Sequence, residues 1–488
     1  MPAATGDEVL RCAQDDTWGK ITGQVIDPPA SRRHLGAMSV LSARTQRLLE
    51  APVLPLLLSL AAPNIGEAAA RITFLTADAL FVSWLGSDAL AGVAVVFPLF
   101  LILQTATASG IGSGVSSAIG RALGAGDHAR ATSLAGVAVA IALLGALLTT
   151  ALLLVAGPAL YAAMGLTGRP LEMAILYGGV MFGGAGFVWL MNLLANVSRG
   201  AGNMMVPAFA IAIGEAFHLA LSPALILGWG PFPALGITGA ALAALAAYAV
   251  GATVLILHLV SHQALVRLRL RTVRFRRDEA IAILSVGALS AASATLFQIT
   301  TFFVAGLISA LGSSAVAAYG AANRLEMLQY PITFAFGSAV ITMVATAAGA
   351  RDVERARRVA WTGAAVAGAI GLLFTAVALF GGRWMGLFTA DPAIRDMGAL
   401  YLLCQAAVFP FTGAGLACYF ACLGIGFVSG PFVLATVRLV LVVVGCWLAL
   451  SLTGNAVAAF AAVALGIAFF GVGLLIMMRA KFRQIGGR

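Results

Sequence analysis

Long apolar runs, broken by short polar segments rich in glycine and arginine, repeat from residue 52 to residue 478. Twelve runs stand out, at 52–84, 89–118, 131–157, 171–197, 204–229, 234–260, 279–310, 315–347, 357–382, 396–423, 428–452 and 455–478. A helix of about 20 apolar residues crosses the hydrocarbon core of a bilayer. The pattern therefore predicts an all-α polytopic membrane protein with twelve transmembrane helices. The first span exceeds the length it needs and is expected to tilt or bend. Pro52, Pro55 and Pro63 put that bend near its start. Residues 1–50 are polar and mixed in charge, without an apolar leader, and read as a disordered cytoplasmic tail. Within it Met38 opens a more ordinary-looking start and is a candidate initiator.

Composition agrees with the pattern. The 488 residues are 61% hydrophobic and 10% charged, against about 25% charged in soluble domains. The formal charge of +10 raises the question of nucleic acid. Its basic residues, however, sit in short loops on alternate sides of the spans. Arg44, Arg47, Arg121, Arg130, Arg199, six arginines in 267–277, Arg351, Arg355, Arg357, Arg358 and the 479–488 tail fall on one side. Arg169, Arg383 and Arg395 fall on the other, diluted by acids. That is the positive-inside pattern, with both termini cytoplasmic and no nucleic-acid partner. Cys404, Cys418, Cys422 and Cys446 lie in apolar runs, Cys12 lies in the tail, and no CxxC occurs, so neither disulfide framework nor metal site is expected. GxG segments such as GAGD follow apolar spans and lack Gly-Lys-Ser/Thr, so they are tight turns and no nucleotide is expected. Nothing points to an enzyme or to a cofactor beyond a coupling ion.

The chain repeats itself. LGSDALAGV (85–93) matches LGSSAVAAY (311–319) at 5 of 9 positions, 226 residues on. GAGDHARA (124–131) matches GARDVERA (349–356) at 5 of 8, and Gly200, Gly202 and Pro207 recur as Gly424, Gly426 and Pro431. Six spans per copy bring both copies into the membrane from the same side, so the pseudo-two-fold axis runs along the membrane normal. The expected organisation is a tail (1–50), a six-helix lobe (51–260), a basic cytoplasmic loop (261–278), a second six-helix lobe (279–480) and a basic tail (481–488).

The candidate chemistry begins in PNIGEAAARITFLTADALFVSWL (63–85), which carries Glu67, Arg71 and Asp78 on one helical face. Charge at membrane depth costs about 2.5–3.5 kcal/mol per group or more, and such residues usually line a cavity and serve transport. Glu67 and Arg71, at i and i+4, also suit a structural ion pair. In span 5, Glu215, His218 and Ser222 share a face. Counting about 1.5 Å per residue from the outer ends sets Asp78 level with Ser222, and Arg71 level with Glu215 and His218. Gln104 and Gln298 are neutral cleft candidates. Arg324 and Glu326 lie two apart and point to different faces.

ADALFVSWLG after Pro63, RALGAGD (121–127), RGAGN (199–203), GPFPALGITGAALA (230–243) and AAYGAANRLE (317–326) together resemble the multidrug and toxic compound extrusion family, over essentially all of 51–480. The resemblance implies export of small organic, often cationic compounds, driven by inward Na+ or H+. In the branch with its ion site in the N-terminal lobe, the matching positions are Asp78, Asn192, His218 and Ser222. One carboxylate of that branch is replaced here by Ser222, with Glu215 nearby. In the other branch a glutamate of span 7 matches Gln298, so its site in the C-terminal lobe is not expected. Na+ needs several oxygens, whereas a carboxylate in low dielectric and a histidine both hold protons near neutral pH. Asp78, Glu215 and His218 are therefore expected to carry a coupling proton. Glu67, Asp78, Glu215 and Glu326 against Arg71 and Arg324 leave the cleft at −2 and favour a cationic substrate. A monomer in contact with membrane lipid is expected. A flippase of a lipid-linked intermediate, in the same two-lobe fold, is the alternative; a channel or a scaffold that has lost transport fits less well.

Overall fold

The computed structural model describes residues 41–268 and 276–486. Cys12, Met38 and much of the expected basic inter-lobe loop lie outside the described residues. A short helix, α1 (Ala43–Glu50), precedes the first long one, α2 (Val53–Ser83). Then follow α3 (Ser87–Gly124), α4 (His128–Ala163), α5 (Gly168–Gly183), α6 (Ala185–Gly200), α7 (Met205–Leu227) and α8 (Ile237–Val260). The second half comprises α9 (Arg277–Ile308), α10 (Ser313–Gly349), α11 (Val353–Leu379), the one-turn α12 (Gly381–Met385), α13 (Pro392–Ala406), α14 (Phe409–Ile425), α15 (Ser429–Thr453) and α16 (Ala456–Gly486). Among the described residues ten helices are long and apolar enough to cross a membrane, and two bent pairs raise the number to as many as twelve.

Those pairs are the fourth span of each half. α5 and α6 meet at 45°, α13 and α14 at 54°. The breaks fall at Gly184 and at Ala407–Val408, about one repeat apart. Glycine weakens the helix at the first, and Pro410, which lacks an N–H, opens the new helix at the second. α2 itself runs unbroken through Pro63, and the expected bend sits instead at Ala51–Pro52, between α1 and α2.

The turns show the duplication more plainly than the spans. Glycines with positive φ pair off as Gly86 with Gly312, Gly202 with Gly426, and Gly228 with Gly454. Gly126 has Arg351 as its counterpart, at φ 59°, the one non-glycine residue with positive φ among the described residues. The next residue of each turn, Asp127 or Asp352, caps the following helix by accepting the N–H of Arg130 or Arg355 at 2.8 Å.

The tail expected to be disordered through residue 50 is helical from Ala43. Ser42 caps α1 by accepting the Thr45 N–H, and buried Leu48 anchors it. Arg355 of the second half donates to the carbonyls of Leu48 and Ala51, both at 2.8 Å. α1 defines one face of the molecule, which we call the α1 face.

The lobes are packed together toward this face. Carbons added at Gly124 and Gly349 would meet Thr346 O at 2.0 Å and Arg121 O at 2.1 Å, so the ends of α3 and α10 cross backbone to backbone. Ser117 donates to Leu423 O, and Thr342 donates to Arg199 O at 2.9 Å. The lobe boundary is less clean than the sequence suggests. Leu56, Leu57 and Ala61 of α2 belong to a core with Ala339, Met343 and Val344 of α10, and Asn64 donates to Ala335 O and Ser338 Oγ.

Candidate functional site

Farther along α2, past the part held by α10, the helix lies against α7 and presents the expected ionisable residues to it. Asp78 Oδ1 lies 3.4 Å from His218 Nε2, and both side chains are buried. Ser222, one turn along α7, is also buried. The level of Asp78 is thus His218, not Ser222. Counting residues from the helix ends treats both helices as upright, and the 31-residue α2 is too long for that.

Glu67 and Arg71 pair as their spacing suggested, Arg71 Nε to Glu67 Oε1 at 3.3 Å. A second partner was not expected: Arg199 Nη2 reaches Glu67 Oε2 at 2.6 Å. Arg199, counted from sequence among the surface arginines, is 3% exposed at the end of α6. Its burial follows from the tight RGAGN turn, which pulls the end of α6 inward against α3: a carbon on Gly200 would meet Ser116 Cα at 2.9 Å. Arg71, at 28% exposure, is half-buried, and its charge lies near Glu215 and Tyr248. Glu215 lines a small crevice with Met191, Ile211, Gly214, Ala247 and Tyr248, and its Oε2 is buried without a hydrogen-bond partner.

Asn192 belongs to a neighbouring polar chain. Its Nδ2 donates to Gln104 Oε1 at 2.9 Å and to Thr107 Oγ1 at 2.8 Å, and Gln104 donates in turn to Tyr248. Gln104 is therefore part of the site region. Gln298 lies half-buried on α9 in the other lobe and joins none of these groups directly. Arg324 and Glu326 part as expected: Arg324 is exposed and stacks 5.0 Å over Phe388, while Glu326 is buried and accepts Tyr401 OH at 2.6 Å.

Sequence reasoning passed over Arg199, Tyr248, Asn196 and Arg438. Arg438 carried a readable signal, an arginine inside an apolar run. It is buried on α15 with its guanidinium 4.3 Å from the Phe297 ring. The cleft tally of −2 does not survive these arginines. Glu67, Asp78, Glu215 and Glu326 now stand against Arg71, Arg199, Arg324 and Arg438.

The arrangement defines a class: a helical membrane protein of two repeated lobes with ionisable groups buried inside one of them. The comparisons with known proteins narrow it. The MatE family model matches residues 63–224 and again 289–448, and the chain belongs to that family of membrane transporters. An FAD transporter of Shewanella oneidensis is 28% identical over 366 residues, covering 73% of this chain and 79% of its own. The probable multidrug resistance protein YoeA of Bacillus subtilis is 26% identical over 354 residues, 70% of this chain and 72% of its own. Among solved structures, a MATE transporter in the bent conformation superposes with a TM-score of 0.85 at 26% identity, over 92% of this chain and 99% of its own. An outward-facing multidrug resistance MATE transporter does so at 0.84 and 25% identity, over 92% and 100%.

Proposed function

We propose that this protein is an ion-coupled antiporter that exports small organic compounds across the cytoplasmic membrane by alternating access, with H+ as coupling ion. It works as a monomer, and the α1 face, which carries the basic segments, is cytoplasmic. The observation that carries the reading is the buried contact of Asp78 with His218 on facing helices. A carboxylate and an imidazole side by side hold a proton without the cage of oxygens that Na+ requires. Proton uptake changes the attraction between α2 and α7, and with it the preferred position of α2. Because α2 is also seated against α10, that change reaches the contact between the lobes. Glu215, in the crevice beside them, and half-buried Arg71 are the groups placed to meet a substrate.

Four carboxylates against four guanidiniums give no electrostatic reason to prefer a cation. Half-buried Arg71, and a relative named for FAD, favour a second reading in which the exported compound carries phosphate. The experiment is transport in proteoliposomes under imposed proton or sodium gradients, applied separately, with an organic cation and a dinucleotide as test substrates. Asp78→Asn keeps shape and mimics the protonated carboxyl. It is expected to fold and bind substrate but to lose gradient-driven export by at least tenfold. Wild-type transport by Asp78→Asn under a pH gradient would remove Asp78 as the coupling group. Loss confined to sodium-driven transport would keep the site and change the ion.

A further inference from the structure

One irregularity in the long helices is not accounted for by the ion site. Between Ala106 and Ile111, α3 widens into a single π-turn. Such turns loosen the regular ladder, open backbone carbonyls to other donors, and recur at functional positions. Here two successive carbonyls are used, one by each lobe. Ala108 O accepts Asn196 Nδ2 of α6 at 3.0 Å. Ser109 O accepts Ser290 Oγ of α9 at 3.0 Å beside Ser113 Oγ of its own helix at 2.7 Å, and Ser290 is itself 2.9 Å from Tyr419 OH of α14. Asn192, bonded to Thr107 within the same turn, connects it to the polar chain beside Glu215.

The two halves of α3 keep different company. Before the turn, Gly92 lies against Met173 and Ala174 of α5, within its own lobe. After it, Gly114 rests on Gly287 and Ile283, Gly120 on Ala345 and Gly124 on Thr346, all in the other lobe. Contact with α6 of its own lobe continues past the turn, where Ser116 Oγ donates to Asn196 O at 2.8 Å, so the π-turn is where the second lobe is added as a neighbour of the helix. The repeat-related helix α10 has an irregularity at the matching place: Pro331 corresponds to Thr105, 226 residues earlier. Proline and π-turns are the usual causes of a bend within a helix.

We propose that the π-turn of α3 is the joint of the gate on the α1 face, and that Asn196 and Ser290 are its positioning residues. The proposal rests on alternating access but on neither the coupling ion nor the substrate. With the Ser290 bond made, and Ser117 bonded to Leu423 O, the Gly112–Gly124 segment is clamped to the second lobe and the α1 face is shut. Opening that face requires the Ser290 bond to break while the Asn196 bond keeps the turn with its own lobe.

The test uses the full chain in proteoliposomes, on a cysteine-substituted background, with spin labels at Ala129→Cys and Arg358→Cys on the two lobes. Ser290→Ala is expected to raise the long-distance population roughly two- to tenfold, the worth of one buried hydrogen bond. Tyr419→Phe, which frees Ser290, should shift it in the same direction but less. Deleting Ser109 to restore a regular helix is expected to collapse the distribution to one distance. A purely structural role would lower melting temperature without moving the populations. Wild-type distributions in Ser290→Ala and Tyr419→Phe would overturn the proposal even if the deletion failed to fold. A shift in these variants while Asp78→Asn still transports normally would keep the joint and reject the coupling site.

Discussion

Glu67 holds two guanidiniums of unequal exposure, and this inequality ranks the effects of mutating them. Arg199 is 3% exposed and Arg71 28%. Glu67→Gln strands Arg199 in an apolar setting, and breaking a buried pair this way costs about 3–5 kcal/mol. Arg71→Ala leaves the Glu67–Arg199 pair intact, and its cost should stay below about 1 kcal/mol, as for partly exposed pairs. Thermal melting in detergent should therefore place Glu67→Gln far below Arg71→Ala, and equal melting temperatures would contradict the assignment. The sequence revealed the Glu67–Arg71 half of this cluster because i, i+4 spacing is local. Arg199 was hidden because its position beside a loop suggested solvent, and only the tertiary fold turns it inward. The same limit applies to Asp78 and His218: both were legible as buried ionisable residues, but their pairing depends on tilt.

Among the elements, α1 is the one the sequence least anticipated. Its eight residues are too few to hold a helix in isolation, and its order comes from Leu48 and from Arg355. Each hydrogen bond from a charged donor contributes about 1.5–3 kcal/mol. Arg355→Ala is expected to speed amide exchange across residues 43–51 by at least tenfold while the membrane spans keep their protection. Unchanged exchange in α1 would mean that Leu48 alone anchors it. The long helices were legible, most ends to within about four residues and the ends of α3, α4 and α16 to within about eight, because twenty apolar residues have few other options in a bilayer. Their bends were not. The break at Gly184 and the π-turn after Thr105 sit inside apolar runs, and small residues there announce close packing without saying which helix yields.

For the whole molecule, the expected orientation follows from the arginine-rich segments on the α1 face. A reporter fused after Arg277 should be cytoplasmic, and one between Thr389 and Arg395 should be external. Reversal of either would remove the twelve-span arrangement with both termini inside. The duplication was readable because turn chemistry is strict: glycines with positive φ and capping aspartates cannot drift far. The two lobes nevertheless carry different interiors, and no repeat offset could have shown that Asp78 faces a histidine while Glu326 meets a tyrosine. The crossing of α3 and α10 has a kinematic meaning. Gly124 on Thr346 and Gly349 on Arg121 are the same contact exchanged between halves, so the pseudo-symmetry axis passes through it. Counter-rotation of the lobes about that axis would leave the two glycines touching, whereas tilting them apart would separate them. A covalent link across this point would therefore spare a twisting transporter and arrest a rocking one.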